Sequence, residues 1–507
     1  MSLVKKIVLG IVSLLMVVLL GGYLFFMSEI DHMLGGNTQR VDPSKFKYLS
    51  GKLAITNVRV LAPDSKSMSA DQTVLIDGNK IVSVSGDIDI PDGYQAISGE
   101  GRYLIPGLVD SHVHLKKSKN DLLLYLANGI TQVGEMTGMP HQFDYLGDYK
   151  KGELSPGIYL ASPKLTSSSG LNPTIRSTFE KRHRNYTTVE AAREAVREIK
   201  AQGYKAVKLS SHLNRDIYYA INDEAQKLDM PVIGHFPVGL QLDDLYNSGQ
   251  SQLAHIDSIV QNLMNEFGGL YASNHQEFLE HFESQADFIA NQFKQNDISL
   301  ASTVWLHKTR RQQAGDLNNF FRSIPLEYQN PGWLEGSIVS KGCLPGGNSY
   351  QNPPSTSAEV AQNWDDVLKV YNEAIKIITQ ALVKHEVKIM AGTDALGACG
   401  MIAGFSLHNE LERLYELGLS NAQILQAATL VPSIWMNTNA GVISQGYRAD
   451  LVLLDKNPLD DISNTRSINA VIVNGKYINR SELDKMLLAV KKANKKSRKI
   501  GIESLVN

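Results

Sequence analysis

Residues 105–115 read Ile-Pro-Gly-Leu-Val-Asp-Ser-His-Val-His-Leu. Pro106-Gly107 supplies a turn, and the apolar run Gly107–Val109 leads into His112 and His114. On a β-strand, residues i and i+2 face the same side, so both imidazoles aim at one point. Two imidazoles held by a rigid strand suit a divalent metal, zinc above all. A pair at this spacing also arises by chance on surfaces, so its meaning depends on the rest of the chain.

Four more residues sit at or near the ends of short apolar runs. They are Lys208 in Ala-Val-Lys-Leu, His235 in Pro-Val-Ile-Gly-His-Phe, His255 in Leu-Ala-His-Ile-Asp and Asp394 in Val-Lys-Ile-Met-Ala-Gly-Thr-Asp. Singly, each histidine reads as a core residue and Lys208 as a surface lysine; together, and in this order, they read as ligands. Eight strands are expected at Leu108–His114, Ile130–Met136, Ile158–Ser162, Tyr204–Leu209, Pro231–His235, Gln252–Ile256, Ile298–Trp305 and Val387–Thr393. Helical patterns lie between them, including Val189–Gln202 behind a Thr188 cap, and Ile217–Lys227. Alternating strands and helices argue for a parallel sheet. Eight such units close into an α/β barrel of the TIM type, whose active site lies at the carboxyl ends of the strands.

The order HxH, Lys, His, His, Asp resembles the amidohydrolase superfamily, in its imidazolonepropionase- and prolidase-like branch, from roughly Lys52 to Ile478. That resemblance implies two divalent ions, zinc or else manganese or cobalt. His112, His114 and Asp394 would hold one, and His235 and His255 the other. Lys208 would bridge them as a carbamate formed with carbon dioxide, because a plain ammonium has no lone pair to offer. The ions would share a hydroxide that attacks an amide-type C–N bond. Asp394 would take the proton and pass it to the leaving nitrogen. Dipeptides, Xaa-Pro substrates and N-acyl amino acids head the substrate classes. A single-metal deaminase, a lactone or organophosphate hydrolase and a non-catalytic anchored binding protein stand as alternatives. His408, opening Leu-His-Asn-Glu-Leu-Glu-Arg-Leu, reads as a substrate-binding residue or as an ordinary residue at a helix start. Two departures from the branch, Ser-Ser-His-Leu-Asn-Arg after Lys208 and Gly134-Glu135 on the second strand, leave substrate identity open.

The chain has 507 residues, and its net charge of -2 gives no electrostatic reason to expect nucleic acid. Ile7–Phe26 is an uncharged run long enough to span a bilayer. Lys5 and Lys6 precede it, while Glu29 and Asp31 follow, so an uncleaved helix would leave the main body outside the cytoplasm, on the periplasmic side of a bacterial inner membrane. A cleaved signal peptide is the rival. Strand-like sequence fills Lys52–Arg102 and returns in Arg448–Leu454 and Ala470–Lys476; the resemblance implies that these ends pair into a small β-sandwich. The expected units are an anchor at 1–30, the sandwich at 48–106 with 440–480, the barrel at 107–439 and a basic helical tail at 481–507. Cys343 and Cys399 form a disulfide or stay as two thiols. Residues 307–358, rich in Gly, Pro, Asn and Ser, read as a lid or as a surface insertion. Lys116–Lys119 reads as a solvated loop or a contact for a substrate carboxylate. Lys491–Lys499 reads as a solvated helix end or a contact for lipid headgroups. A small-molecule substrate, the membrane and a second copy of the chain are the expected partners.

Overall fold

A computed structural model describes residues 2–506, apart from 87, 169–182, 339 and 354. The two ends of the chain build one eight-stranded sheet. Lys52–Leu61 lies parallel to Gln95–Pro106 and antiparallel to Met68–Asp77. Asp77 pairs with Lys80 across the Asp-Gly-Asn-Lys turn, where Gly78 takes the left-handed φ of 58°. The C-terminal half enters through Leu451–Leu454, whose register runs from Leu451↔Pro106 to Leu454↔Tyr103. A bridge from Lys80 to Arg448 brings the far edge of the sheet back against the chain entering that strand. Alternate apolar residues, among them Leu53, Ile55, Leu451 and Ile472, fill the space between.

The central unit carries eight parallel strands. They are β1 (Leu108–Val113), β2 (Ile130–Glu135), β3 (Gly157–Leu160), β4 (Val207–Leu209), β5 (Val232–Gly234), β6 (Gln252–Ala254), β7 (Ser299–Ala301) and β8 (Ile389–Met390). β1 to β3 pair in one run and β4 to β8 in another. Backbone bonds join the runs at both seams. Ser162 N donates to Ala206 O and Lys205 N to Leu160 O between β3 and β4. Ser111 N donates to Ala391 O and Asp394 N to His112 O between β8 and β1. The ring is therefore closed, as in a TIM-type barrel. The helix Val189–Gln202 matches its sequence pattern, with Thr188 accepting from Ala191 N and Gly203 ending it at φ 88°.

The seventh strand is shorter than its apolar pattern suggests. Thr303 adopts φ 50°, and the chain leaves the sheet there to start the helix Val304–Gly315. That helix takes in the first part of 307–358. Two more, Leu317–Arg322 and Pro331–Glu335, and a short hairpin of Gly336–Ser337 with Ser340–Lys341 follow. Cys343 is bonded to Cys399 with a Cα–Cα distance of 5.4 Å, which fastens this segment to the loop after β8.

Leu3–Met33 is one helix, long and apolar enough to cross a membrane, and its apolar part is fully exposed. Its last turns dock on the body, with Asp31 paired to Lys117 and Glu29 to Lys499. Such a helix suits an anchor or a signal sequence. At the other end, Arg480–Ser497 buries Leu483, Met486 and Val490 in the main core.

Candidate metal centre

His112 and His114 reach the centre from β1. His114 Nε2 lies 2.9 Å and His112 Nε2 3.5 Å from Asp394 Oδ1, in the loop after β8. The His112 ring is 4.7 Å from His255, and His255 is 4.9 Å from His235, between ring centres. His235 and His255 follow β5 and β6 directly. Lys208, on β4, completes the group: it is 0% exposed, its Nζ has no hydrogen-bond partner among the described residues, and its charge acts on His112, His235 and His255. All six residues read as ligands thus meet at the carboxyl end of the barrel.

Their electrostatics suit ligands. Burial pushes the Lys208 ammonium well below its ordinary range, Lys164 adds to this, and Asp394 and Glu135 oppose it. A neutral amine is the form that reacts with carbon dioxide. Burial likewise holds His112 and His235 well below the usual histidine range and brings His255 to about 4. Neutral imidazoles are metal donors. His255 Nδ1 lies 2.9 Å from Thr303 Oγ1, and His235 Nδ1 lies 3.3 Å from the Leu209 carbonyl, which leaves each Nε2 for a ligand role. Among the described residues, neither nitrogen of the His112 ring has a hydrogen-bond partner. Orphaned buried imidazole and amine nitrogens are costly unless something else binds them, so this donor set fits divalent ions.

The backbone is held in unusual shapes to make this arrangement. His255 has φ 67° and Asp394 φ 58°, left-handed conformations that side-chain-bearing residues adopt at a cost. Three buried carboxylates hold the neighbouring loops. Asp110 accepts from Thr393 N, Thr393 Oγ1 and His112 N, tying β1 to the segment before Asp394. Burial carries it up to about 8 against the pull of those bonds. Glu410 accepts from Ser302 Oγ, Val304 N and Trp305 N and fixes the turn that carries Thr303. Glu135 accepts from Leu115 N and Thr137 N. It acts as a backbone anchor beside the HxH strand.

His408 is placed elsewhere, which corrects its reading as a substrate contact. It is buried with Nδ1 2.9 Å from Thr465 Oγ1 and Nε2 3.1 Å from the Asn128 carbonyl, so both ring nitrogens are engaged away from the centre. Helical periodicity gave no sign of which side the ring would face. In the lysine cluster, Lys117 pairs with Asp31, Lys119 pairs with Asp148, and Lys116 Nζ lies 4.2 Å from the centre of the Trp333 ring.

Four residues escaped the sequence reading. His307 Nε2 lies 3.2 Å from Asp257 Oδ1, and Arg310 Nη1 lies 3.5 Å from Asp257 Oδ2. Burial would raise the Asp257 carboxyl, but His307, Arg310 and His255 together hold it well below the usual carboxylate range. Arg310 also lies over the Tyr350 ring, 5.5 Å from its centre. A cleft of about 260 Å³ opens here, lined by His235, His255, Asp257, Arg310, Tyr350 and Asp394. Asp257 was within sight, two residues after His255; His307, Arg310 and Tyr350 come from the 307–358 segment and carry no motif.

Residues 103–478 match the amidohydrolase family. The chain belongs to that family. Membership makes it a hydrolase acting on carbon–nitrogen bonds. Among solved structures, this amidohydrolase is similar to the bottromycin amidohydrolase AH, with a TM-score of 0.65 and 18% identity over 87% of this chain and 90% of that one. A prolidase complexed with N-methylphosphonate-L-proline gives a TM-score of 0.62 at 19% identity, covering 85% of this chain and 100% of that one. The 5'-deoxyadenosine deaminase of Methanosphaera stadtmanae is 21% identical over 468 residues, 86% of this chain and 95% of that protein.

Proposed function

We propose that this amidohydrolase is a binuclear hydrolase that cleaves the amide bond of a dipeptide, Xaa-Pro or N-acyl amino acid substrate. The observation that carries this reading is the buried Lys208 amine, which has no hydrogen-bond partner among the described residues and interacts electrostatically with His112, His235, His255 and Asp394. Carboxylated by carbon dioxide, Lys208 would join these residues as a donor shared between the ions. His112, His114 and Asp394 would hold one ion, and His235 and His255 the other. Bound divalent ions, with zinc preferred for this donor set, supply a lowered water pKa and a polarised carbonyl.

The chain's own residues do the rest. Asp394 takes a proton from the attacking water and delivers it to the leaving nitrogen, within reach of His114 Nε2 at 2.9 Å. Thr303 and the Leu209 carbonyl hold His255 and His235 in one tautomer. Arg310, whose Nε has no partner among the described residues and which lines the cleft, suits the carboxylate of an amino-acid substrate.

The barrel at 107–439 is the catalytic unit in this reading, flanked by the sheet of 48–106 and 440–480. The 481–507 segment braces it, and Leu3–Met33 acts as an uncleaved anchor with the body outside the cytoplasm. The Cys343–Cys399 bond suits that oxidising side of the membrane.

A panel of N-acyl amino acids, dipeptides including Xaa-Pro, lactones, phosphotriesters and 5'-deoxyadenosine, assayed on the metal-loaded chain, tests the reading. Turnover of amides with a free carboxylate is expected. Turnover confined to esters, phosphotriesters or the nucleoside would overturn it. The likeness to a deaminase keeps the nucleoside in the panel.

A further inference from the structure

Phe26 ends the uncharged run, and Glu29 lies three residues on, about 4.5 Å along the helix axis. Both carboxylate oxygens of Glu29 are engaged. Oε1 accepts from Lys499 Nζ at 3.3 Å, and Oε2 accepts from the Ile338 backbone N at 3.3 Å. Ile338 sits at the tip of the short hairpin and is 66% exposed. Ile500, next to Lys499, is 48% exposed. Ser497 Oγ accepts from Gln39 N at 2.8 Å, so the C-terminal helix ends against the chain leaving the N-terminal one. The base of the apolar helix, an apolar hairpin tip and the end of a basic helix therefore gather in one place.

The exposed charge of that place is mostly basic, with Glu503 an exposed acid near Arg498. Arg480–Ser497 buries Leu483, Met486, Val490 and Ala493, which leaves Lys492, Lys495 and Lys496 on its outer face at helical spacing. Among the described residues none of these three forms an ion pair, and neither does Lys341 on the hairpin, which is also exposed. Four uncompensated cations and an apolar tip, within a few residues of where a bilayer-length helix emerges, match an anionic lipid surface.

We propose that this foot is a membrane-seating platform: Ile338 enters the interfacial layer while Lys341, Lys492, Lys495 and Lys496 face anionic lipid headgroups. The platform rests on the reading of Leu3–Met33 as an anchor. It turns a loose tether into a seat that fixes the orientation of the barrel mouth relative to the bilayer. The attraction is electrostatic, so it fades with salt and with loss of anionic lipid.

The test uses the full chain bearing Ile338→Cys, labelled with bimane under non-reducing conditions. It is reconstituted in phosphatidylcholine vesicles with or without about a quarter phosphatidylglycerol. In the anionic vesicles, headgroup-level nitroxide lipid should quench the label and aqueous iodide should not reach it. The Lys341→Gln/Lys492→Gln/Lys495→Gln/Lys496→Gln variant should lose at least about half of the lipid quenching, as should salt of about 0.5 M. A chain that floats with vesicles yet leaves the label open to iodide refutes the platform and leaves the anchor standing. So does lipid quenching that ignores the four lysines. A chain that fails to float refutes the anchor itself. Hydrogen exchange of 336–341 and 492–500 in the unmodified chain, in the same two lipids, reads the same contact without any substitution. Slower exchange in the anionic vesicles is expected, and equal exchange in both refutes the platform.

Discussion

Gly234 lies against the side chain of Lys208: a β-carbon at position 234 would come within 2.7 Å of Lys208 Cδ and 2.7 Å of the Leu209 carbonyl oxygen. Gly234 also takes φ 116°, where side-chain-bearing residues are strained. The path of the Lys208 side chain therefore depends on a glycine one strand away. Gly234→Ala should cost roughly 1–3 kcal/mol in stability and displace the Lys208 amine. Thermal unfolding and bound metal per chain, measured together, should both fall. A variant that keeps its full metal content would show that Lys208 does not need this path.

Thr303 is the only described partner of His255 Nδ1, at 2.9 Å. Thr303→Val keeps the shape and removes the hydroxyl. Loss of such an outer partner weakens metal binding by about 10–100-fold. Competition with a chelator, read as metal retained at each chelator concentration, checks this, and an unchanged curve would remove Thr303 from the centre.

His408 gives a pH signature separable from catalysis. Burial lowers it from 6.5 to about 3, so the folded protein keeps it neutral where the unfolded chain takes up a proton. Its contribution to stability is complete above pH 6.5 and shrinks as pH falls toward 3. Between pH 7 and 5 this one residue should account for about 2 kcal/mol of lost stability. His408→Gln should flatten the acid slope by that amount while lowering stability at neutral pH. Denaturant titrations at both pH values give the difference directly; parallel slopes in the two proteins would contradict it.

The Cys343–Cys399 bond closes a segment with a sequence separation of 56. Cross-links of such span stabilise by on the order of 2–4 kcal/mol through the unfolded chain. Reduction should lower the unfolding midpoint and, by loosening the segment that carries Arg310 and Tyr350, raise KM more than it lowers kcat. Equal unfolding midpoints with and without reductant would show that the bond adds no stability.

The candidate ligand residues were legible because each closes a short apolar run, and a run ending in His, Lys or Asp points to one end of a parallel barrel. The pairing of the chain's two ends followed from resemblance, and the register Leu451↔Pro106 supplies its physical form. What stayed hidden depends on contacts distant in sequence. His307 finds Asp257 only once the 307–358 segment folds back, and no local pattern marks it. His408 sits at the start of an amphipathic helix, where periodicity says that a face is buried but not what it is buried against. The seventh strand was overrun because Ser302 and Thr303 continue a β-like composition, while the left-handed turn at Thr303 is set by Glu410, more than a hundred residues later.

Metal content per chain, measured on the wild type and on Lys208→Ala with and without added bicarbonate, bears most directly on the binuclear centre. Close to two divalent ions are expected in the wild type, retained best with bicarbonate, with a clear loss in Lys208→Ala that bicarbonate does not restore. One ion or none in the wild type, unchanged by Lys208→Ala, would contradict the binuclear centre.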